Sequence, residues 1–141
     1  MKSKAIQHLE ALANEQKQQK YSGIIPGHAI SKASYTDKTT NGLTACIIDF
    51  LRFQGHYAVR INTQGNYSEK AGKWVKSGTT PGTADIHSCI DGQHVSIEIK
   101  TGRDRQSTKQ RATQQQIEAA GGRYLVARNF QEFFNWYYEN R

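Results

Sequence analysis

Two carboxylates, Asp85 and Glu98, are the residues whose types and positions most directly indicate chemistry. They lie in two runs of alternating apolar residues separated by Asp91-Gly92, a pair typical of a two-residue turn in a β-hairpin. That turn sets a register in which Asp85 is directly opposite Glu98. Opposed carboxylates repel each other. A divalent cation bound by both would remove the repulsion, and magnesium held by carboxylates, water and a substrate phosphate suits such a pair.

The alternation sorts the side chains of this hairpin into two faces. One face is apolar and is predicted to lie in the core: Ala84, Ile86, Ile90, Val95, Ile97 and Ile99. The other is polar: Asp85, His87, Cys89, His94, Ser96, Glu98 and Lys100. Lys100 offsets the two negative charges only in part. A solvated polar face, neutralised by nearby lysine and arginine, stays open as the alternative, because a bulge would shift the register.

The charge balance indicates an anionic partner. The chain has 141 residues, the length of one domain, with a net charge of +7 and a pI of about 9.5. A basic domain of this size favours nucleic acid over a membrane as its partner. With no apolar signal segment or membrane span, we expect a cytoplasmic protein without a membrane partner.

The two cysteines, Cys46 and Cys89, do not indicate a disulfide framework. Cys46 lies in a helical apolar pattern, and Cys89 lies in the hairpin opposite His94. That cross-strand pair could supply half of a zinc site, although structural zinc needs four ligands and no second close pair is present.

The remaining segments predict a mixed sheet flanked by helices. Hydrophobic periodicity and capping residues indicate helices over residues 3–20, 39–54, 108–120 and from Asn129 onward, and strands over 56–62 and 123–128. The first is expected to be a surface or partner-binding helix with a frayed end, and Tyr57, Val59 and Ile61 are expected on one strand face. Residues 21–38 read as a linker or ordered loop, and residues 63–81 as a long polar loop. A hairpin followed by a strand–helix–strand crossover gives an α/β fold with a mixed sheet.

Two local patterns mark the last two helices. Ser107 and Gln110 match a capping box at the start of one. Asn129 and Glu132 resemble a second helix start, followed by the aromatic residues Phe130, Phe133, Phe134, Trp136 and Tyr137. We predict that this aromatic set forms core or a dimer interface in preference to a base-stacking platform.

Basic, glycine-rich loops on both sides of the hairpin are the candidate nucleic-acid contacts. Small residues allow close approach of the backbone to phosphates, and the lysines and arginines supply charge. The candidates are Lys70, Lys73, Lys76, Ser77, Thr79, Thr80, Arg103, Arg105, Lys109 and Arg111. Trp74 could stack on a base. The alternative is that Trp74 packs against the domain and the lysines are only solvated.

At this point the sequence resembles a known family. Asp85 after a Gly-rich turn, followed by Glu98-Ile99-Lys100 on the next strand, resembles the PD-(D/E)XK nuclease superfamily. The segments 81–86, 97–102 and 119–124, together with Gln110, look like its VRR-NUC branch, which is related to Holliday junction resolvases. The likeness covers about residues 40 to 132. We therefore divide the chain into an N-terminal helix and linker, residues 1–38, and a VRR-NUC-like domain, residues 39–141.

The resemblance implies a fold and a mechanism. The fold would be restriction-endonuclease-like, with an α-β-β-β-α-β core and an extra N-terminal helix. Asp85, Glu98 and the carbonyl of Ile99 would bind Mg²⁺ or Mn²⁺, Lys100 would orient or help deprotonate the attacking water, and Gln110 would position the water or the lysine. The expected substrate is duplex or branched DNA, the expected assembly a homodimer, and the expected setting a prokaryote or phage. No small-molecule cofactor is expected.

One departure from the branch concerns the metal site. Many members carry a glutamate near the start of the helix that precedes the first strand. The matching residues here, 39–43, contain no carboxylate, and Asp37 and Asp49 lie outside that position. Asn41 is a weak neutral substitute.

Three functions stay open at this stage. The first is a metal-dependent DNA endonuclease. The second is a DNA- or junction-binding module that kept the fold and lost efficient chemistry, as the absent glutamate and the net charge of +7 would allow. The third is a scaffold that dimerises through the aromatic last helix and recruits a partner through residues 3–20.

Overall fold

A computed structural model describes all of the chain, residues 1–141. Its helices are α1 (Lys4–Tyr21), α2 (Thr40–Phe53), α3 (Thr108–Ala119) and α4 (Phe130–Glu139), with a single 3-10 turn at Gly27–Ala29. Its strands are β1 (Tyr57–Arg60), β2 (Asn66–Ser68), β3 (Lys73–Val75), β4 (Ile86–Ile90), β5 (Gln93–Ile99) and β6 (Arg123–Ala127). No helix is both long enough and apolar enough to cross a membrane.

The main sheet has four strands in the order β1-β4-β5-β6. β4 pairs antiparallel with β1 and β5, whereas β5 and β6 are parallel and are joined through α3. The prediction of an α/β protein with a mixed sheet flanked by helices is confirmed. The order α2, β1, β4, β5, α3, β6 is compatible with the expected α-β-β-β-α-β core, with β2 and β3 inserted between β1 and β4.

The central hairpin has the predicted register. Ile86 pairs with Ile97, and Cys89 pairs with His94. Asp91 and Gly92 have φ angles of 50° and 81°, which a two-residue turn with the twist of a hairpin requires. All six residues assigned to the apolar face are buried. On the opposite face, Ser96, Glu98 and Lys100 are buried as well. The alternative of a solvated polar face is therefore wrong for the end of the hairpin that carries Glu98 and Lys100.

Helices cover both faces of the sheet. α2 contacts β1, β4 and β5 on the apolar face, and α1 and α4 pack on α2 and on each other. Residues from α1, including Ala5, Ile6 and Leu9, belong to the same core cluster as those of the sheet. The apolar stripe of α1 is thus buried inside this chain and is not presented to a partner, and the helix continues to Tyr21. On the polar face, α3 contacts β6.

Local capping explains where the helices begin. Ser3, Thr39, Ser107 and Asn129 each accept a hydrogen bond from a backbone N–H in the first helical turn. The predicted capping box at Ser107 is present, and the predicted start at Asn129 is confirmed by its contact with the N–H of Glu132. In α4, Phe130, Phe133 and Tyr137 are buried in the core, so this part of the aromatic set packs inside the domain.

One segment differs from the sequence-based prediction, and the structure makes the prediction for two others more specific. Residues 63–81 are not a structureless loop, because β2 and β3 form an antiparallel two-stranded ribbon there. Each of these strands has only three residues, too few for alternation to be recognised. In β1 the buried residue is Ala58, and Tyr57 is exposed, so the bulkier face of this edge strand points away from the core. Residues 21–38 form an ordered loop whose Ala33 and Tyr35 N–H groups donate to Asn14 and Glu10 of α1.

Candidate active site at the end of the central hairpin

Glu98 is a buried carboxylate near the end of β5, with 2% of its surface exposed. Its Oε1 accepts a hydrogen bond of 2.6 Å from Nε2 of Gln110 and lies 3.4 Å from Nζ of Lys100. The hydroxyl of Tyr124 lies 3.5 Å from Oε2, at the outer limit for a hydrogen bond. Glu98 therefore brings together groups from β5, α3 and β6.

Asp85 lies beside Glu98, immediately before β4. The paired part of the hairpin begins one residue later, at Ile86 and Ile97, so Asp85 and Glu98 continue the register beyond the last strand pair. Oδ2 of Asp85 accepts a hydrogen bond of 2.8 Å from the N–H of Ile99. Because the N–H and C=O of one residue in a strand point to the same side, we infer that the Ile99 carbonyl is directed toward Asp85.

Burial and the neighbouring carboxylate both disfavour the charged form of Glu98. They raise the pKa of Glu98 to about 7, with burial as the largest cause and Asp85 as the next. Lys100 acts in the opposite direction and does not compensate fully. Burial, followed by the charge of Glu98, likewise raises the pKa of Tyr124 to about 12. The site thus concentrates negative charge where solvent cannot screen it.

Lys100 is the only cation buried in the domain, with 7% of its surface exposed. Its Nζ lies between Oε1 of Glu98, at 3.4 Å, and Oδ2 of Asp104, at 3.6 Å. Its backbone N–H donates to the carbonyl of Ala127 on β6, which keeps the end of β5 in the sheet. The ammonium group of Lys100 thus contacts Glu98 on one side and Asp104, in the basic loop after β5, on the other.

The turn before β4 and the first turn of α3 fit closely together. Gly82 has a φ of 91°, and a Cβ at this position would lie 2.8 Å from the carbonyl oxygen of Lys109. Glycine alone satisfies both the backbone conformation and the close approach. This contact places Asp85, three residues later, near the end of α3 that carries Gln110.

Gln110 serves two partners at once through different atoms. Its Oε1 accepts a hydrogen bond of 2.8 Å from the N–H of Ser107, which completes the capping box. Its Nε2 donates to Glu98. The capping and site roles predicted for this residue are therefore compatible, since the helix cap holds the amide in the orientation that reaches the carboxylate.

The donors at the site suit a hard divalent cation. Two carboxylates and a directed backbone carbonyl are oxygen ligands of the kind that Mg²⁺ and Mn²⁺ prefer, and magnesium usually keeps several waters besides. The raised pKa of Glu98 shows that the site would gain from added positive charge. No group of three or more His, Cys, Asp or Glu side chains is arranged to hold a metal, so protein carboxylates alone would not complete the coordination. The pair fits an ion that shares its ligands with water and substrate.

Alternative metal ligands are engaged elsewhere. Asp37 accepts from the N–H of Phe130, and Asp49 accepts from the hydroxyl of Tyr35. Asn41, the weak substitute considered for the missing glutamate, accepts a hydrogen bond of 2.8 Å from Arg60. Helix α2 therefore sends no acidic side chain to the site. Its first residue, Thr40, does contact Thr101 immediately after Lys100, with 3.1 Å between the hydroxyl oxygens.

The predicted zinc half-site is not completed. Cys89 and His94 are cross-strand partners as expected, and Cys89 is exposed. Nε2 of His94 forms a hydrogen bond of 2.8 Å with the hydroxyl of Ser96. Since no third ligand joins the pair, these residues do not form a metal site.

A basic hollow lies beside Asp104, the residue that forms an ion pair with Lys100. It has a volume of about 680 Å³ and is lined by residues of the loop after β5, by α3 and by the end of β6, including Arg103, Arg105, Arg111 and Arg128. Arg111 donates to the carbonyl of Gln106, at 2.7 Å, and Arg128 donates to the carbonyl of Asp104, at 3.1 Å. Two of its four guanidinium groups are thus oriented by the backbone. Lys109 is exposed nearby on α3.

The candidate contacts in residues 70–80 separate into two groups. Lys70, Lys73, Lys76 and Thr80 are exposed. The hydroxyls of Ser77 and Thr79 instead donate to the carbonyl of Asn62, at 2.8 and 2.7 Å, and hold the base of the β2–β3 ribbon together. The structure places these two residues in a structural contact and leaves the lysines facing solvent.

Sequence reasoning missed Tyr124, Asp104 and Arg128. Tyr124 pairs with Ser96 in the parallel register of β5 and β6, which puts its side chain on the face of Glu98. No tight turn specifies the register of parallel strands. The alternation in residues 123–128 could therefore show which side chains share a face of β6, but not which residue of β5 lies beside Tyr124. Asp104 could have been found from its position four residues after Lys100 in a loop otherwise rich in arginine.

No protein-family model, curated protein or solved structure matches the sequence or the fold.

Proposed function

We propose that this chain is a Mg²⁺- or Mn²⁺-dependent DNA endonuclease with a restriction-endonuclease-like fold, of the VRR-NUC branch of the PD-(D/E)XK superfamily. The observation that carries the proposal is the buried Glu98 carboxylate, held within hydrogen-bonding or ion-pair distance of Gln110 and Lys100, with its pKa raised by burial and by the neighbouring Asp85. Burying a carboxylate and a lysine costs stability even when the two are paired, so folding alone does not explain the positions of Glu98 and Lys100. Strongly perturbed groups gathered at one point are typical of catalytic sites.

Each residue has a role in phosphodiester hydrolysis under this proposal. Asp85, Glu98 and the carbonyl of Ile99 would hold the cation, which when bound lowers the pKa of a water and offsets charge on the phosphate. Lys100 holds the attacking water at its Nζ, a position fixed by Glu98 and Asp104. Gln110 keeps Glu98 oriented through its Nε2. Tyr124 donates toward the second oxygen of the same carboxylate.

The basic hollow supplies the expected contacts to DNA. Arg103, Arg105, Arg111 and Arg128 border it, and Lys100 reaches Asp104 in the same loop. Guanidinium groups bind phosphates through two parallel hydrogen bonds, and these contacts carry most of the non-specific affinity for DNA. A strand that follows the hollow would pass the carboxylate pair. Duplex and branched DNA are both candidate substrates.

A DNA-binding module without efficient cleavage is the second candidate. It is favoured by one observation, that Asp37 and Asp49 are engaged with other parts of the chain and no acidic side chain of α2 reaches the site. With two carboxylates in place of three, metal affinity would fall. Tight binding with a steep salt dependence and no cutting in any metal would select this candidate.

A homodimer is included in the proposal, because two copies with two-fold symmetry suit the two related cuts of a branched substrate. The scaffold alternative has less support, since Phe130, Phe133 and Tyr137 pack inside the domain. Light scattering on the purified chain, with and without a four-way junction, measures the assembly. A dimer with junction DNA is the expected result, and a monomer at every concentration would remove this part of the proposal.

Cleavage of labelled DNA tests the proposal. Duplex, flap, single-stranded and four-way-junction DNA would be incubated with the parent and Lys100→Ala, in EDTA, Mg²⁺ or Mn²⁺. We expect metal-dependent cutting by the parent and a loss of at least about 100-fold in the variant, the scale of a removed electrostatic catalytic group. Lys32→Ala is the matched control, because Lys32 is exposed in the loop between α1 and α2 and lies outside the carboxylate pair and the candidate DNA contacts, and it should cut nearly as well as the parent. Equal activity of Lys100→Ala and the parent would overturn the assignment.

A further inference from the structure

The β2–β3 ribbon carries an aromatic surface that the rest of the domain does not cover. Tyr67 and Trp74 are directly opposite each other across the ribbon, so their side chains lie on the same face. They are 59% and 64% exposed, respectively. Neither belongs to the core cluster. Two adjacent large rings left in solvent need a reason, because burying them in the core would stabilise the fold.

The ribbon is anchored, although a two-stranded ribbon alone is marginally stable. Ser77 and Thr79 both donate to the carbonyl of Asn62 and close its base. Trp74 itself is supported by Gly65, where a Cβ would lie 2.6 Å from the indole Nε1 and closer still to the carbonyl oxygen of Val75. The indole Nε1 therefore lies close to the backbone of Gly65, and most of the Trp74 side chain remains exposed.

The charge and position of the ribbon identify its partner. Residues 63–80 contain Lys70, Lys73 and Lys76 and a single acid, Glu69. The ribbon joins β1 to the segment that ends at Asp85, and the N–H of Ile61 donates to the backbone carbonyl of Asp85 at 2.8 Å. Its base therefore lies next to the candidate active site. Aromatic rings among lysines match single-stranded nucleic acid, in which unstacked bases expose their faces and phosphates lie alongside. Paired bases inside a duplex offer no such face.

We propose that Trp74 and Tyr67 form a stacking surface for unpaired bases of DNA that flank the cut site, with Lys70, Lys73 and Lys76 contacting the adjacent phosphates. The proposal rests on the DNA substrate proposed above and narrows it. The protein prefers DNA in which a duplex meets a single strand, such as a gap, flap or open junction, over a fully paired blunt duplex. Preference arises because only the former supplies a base to the rings.

Binding in EDTA tests this inference separately from catalysis. The parent, Trp74→Phe and Trp74→Leu would be titrated with a gapped duplex and with a blunt duplex of equal phosphate number. We expect Trp74→Leu to lose about tenfold in affinity for gapped DNA and little for blunt DNA, the scale of one stacked base. Trp74→Phe keeps a ring and should retain most of the affinity. Leucine preserves apolar bulk. If the surface bound an apolar protein partner instead, Trp74→Leu and Trp74→Phe would therefore behave alike.

Tryptophan fluorescence supplies a second readout. The chain has two tryptophans, and the other one, Trp136 of α4, is half-buried with the guanidinium group of Arg123 over its ring. Single-stranded oligothymidine should quench the emission of the parent but not that of Trp74→Phe. Unchanged affinity of Trp74→Leu for gapped DNA, or equal losses on gapped and blunt DNA, would overturn the stacking surface even if the protein cuts DNA. Selective binding through Trp74 without cutting would support the surface and contradict the nuclease.

Discussion

Two hairpins in this domain distribute their side chains in opposite ways. The β4–β5 hairpin buries charge, with Glu98 and Lys100 almost inaccessible beneath α3. The β2–β3 ribbon exposes apolar rings, with Tyr67 and Trp74 in solvent between lysines. One hairpin is surrounded by helices on both faces, and the other is held only at its base by Asn62, Ser77 and Thr79.

The contrast separates two functional requirements. A catalytic carboxylate gains from a dry, rigid position, because its electrostatic interactions are stronger there. A surface that recognises bases gains from exposure, because its partner must reach the rings. Each arrangement lowers the stability of the fold on its own. Both therefore indicate a function, whereas the apolar core around Ile86 and Ile97 is explained by folding alone. The difference between the hairpins leads to four predictions, taken from the largest effect to the smallest.

The first prediction compares truncation in the two hairpins. Ile97→Ala removes a fully buried side chain of the main sheet, and we expect a loss of about 2–5 kcal/mol in the free energy of unfolding. Val75→Ala in the ribbon removes a partly exposed side chain and should change stability by less than about 0.5 kcal/mol. Urea denaturation of both variants gives the two values. Similar losses would mean that the ribbon is part of the cooperative core.

The second prediction concerns the pH dependence of stability without metal. Because the folded pKa of Glu98 is about 7, above its ordinary value of 4.5, the folded state binds the proton more tightly than the unfolded state. Stability should therefore fall as the pH rises from about 4.5 to 7, by roughly 3 kcal/mol for this residue. Glu98→Gln should remove that fall. Denaturation in EDTA across this range measures it, and Mn²⁺ should restore stability to the parent above pH 7. Because the lowered pKa values of His56 and His87 act in the opposite direction, the test is the difference between the two proteins, and an equal pH dependence of the parent and Glu98→Gln would contradict this account.

The third prediction separates the two roles of Gln110. Ser107→Ala and Gln110→Ala each break one half of the capping box, and each should cost about 1 kcal/mol of stability. Only Gln110→Ala also removes the hydrogen bond to Glu98. Metal-dependent cleavage should therefore fall in Gln110→Ala and stay near the parent level in Ser107→Ala. Equal cleavage by the two variants would assign Gln110 a capping role alone.

The fourth prediction concerns the charges of the ribbon. Lys73→Ala removes an exposed side chain and should leave the free energy of unfolding within about 0.5 kcal/mol of the parent. It should weaken binding to gapped and blunt DNA alike, and lower the slope of log affinity against log salt by about 1. Anisotropy titrations at several salt concentrations measure both. A loss confined to gapped DNA would assign Lys73 to base recognition.

Local patterns in the sequence predicted the features that local chemistry specifies. The Asp91-Gly92 turn gave the register of β4 and β5, and with it the adjacency of Asp85 and Glu98. The pair Ser107 and Gln110 gave the start of α3. Each depends on residues close together in the chain, where turn and cap preferences act directly.

Contacts between distant segments could not be predicted in the same way. The burial of Glu98 depends on α3 crossing the polar face, which the closely packed pair Gly82 and Lys109 makes possible. Tyr124 reaches the site through a parallel register that no turn determines. The strands of the β2–β3 ribbon give no recognisable pattern, because each is three residues long and their apolar residues are exposed.

Single-turnover cleavage by Asp85→Asn tests the central claim most directly. The protein in excess would be bound to labelled DNA in EDTA, and the reaction started with Mn²⁺, beside the parent and Trp74→Leu. We predict cutting by the parent, a rate at least about 100-fold lower for Asp85→Asn with DNA binding unchanged, and slower cutting of gapped but not blunt DNA by Trp74→Leu. No cutting by the parent in Mn²⁺ or Mg²⁺, or equal rates for Asp85→Asn and the parent, would contradict a metal-dependent nuclease site at Asp85 and Glu98.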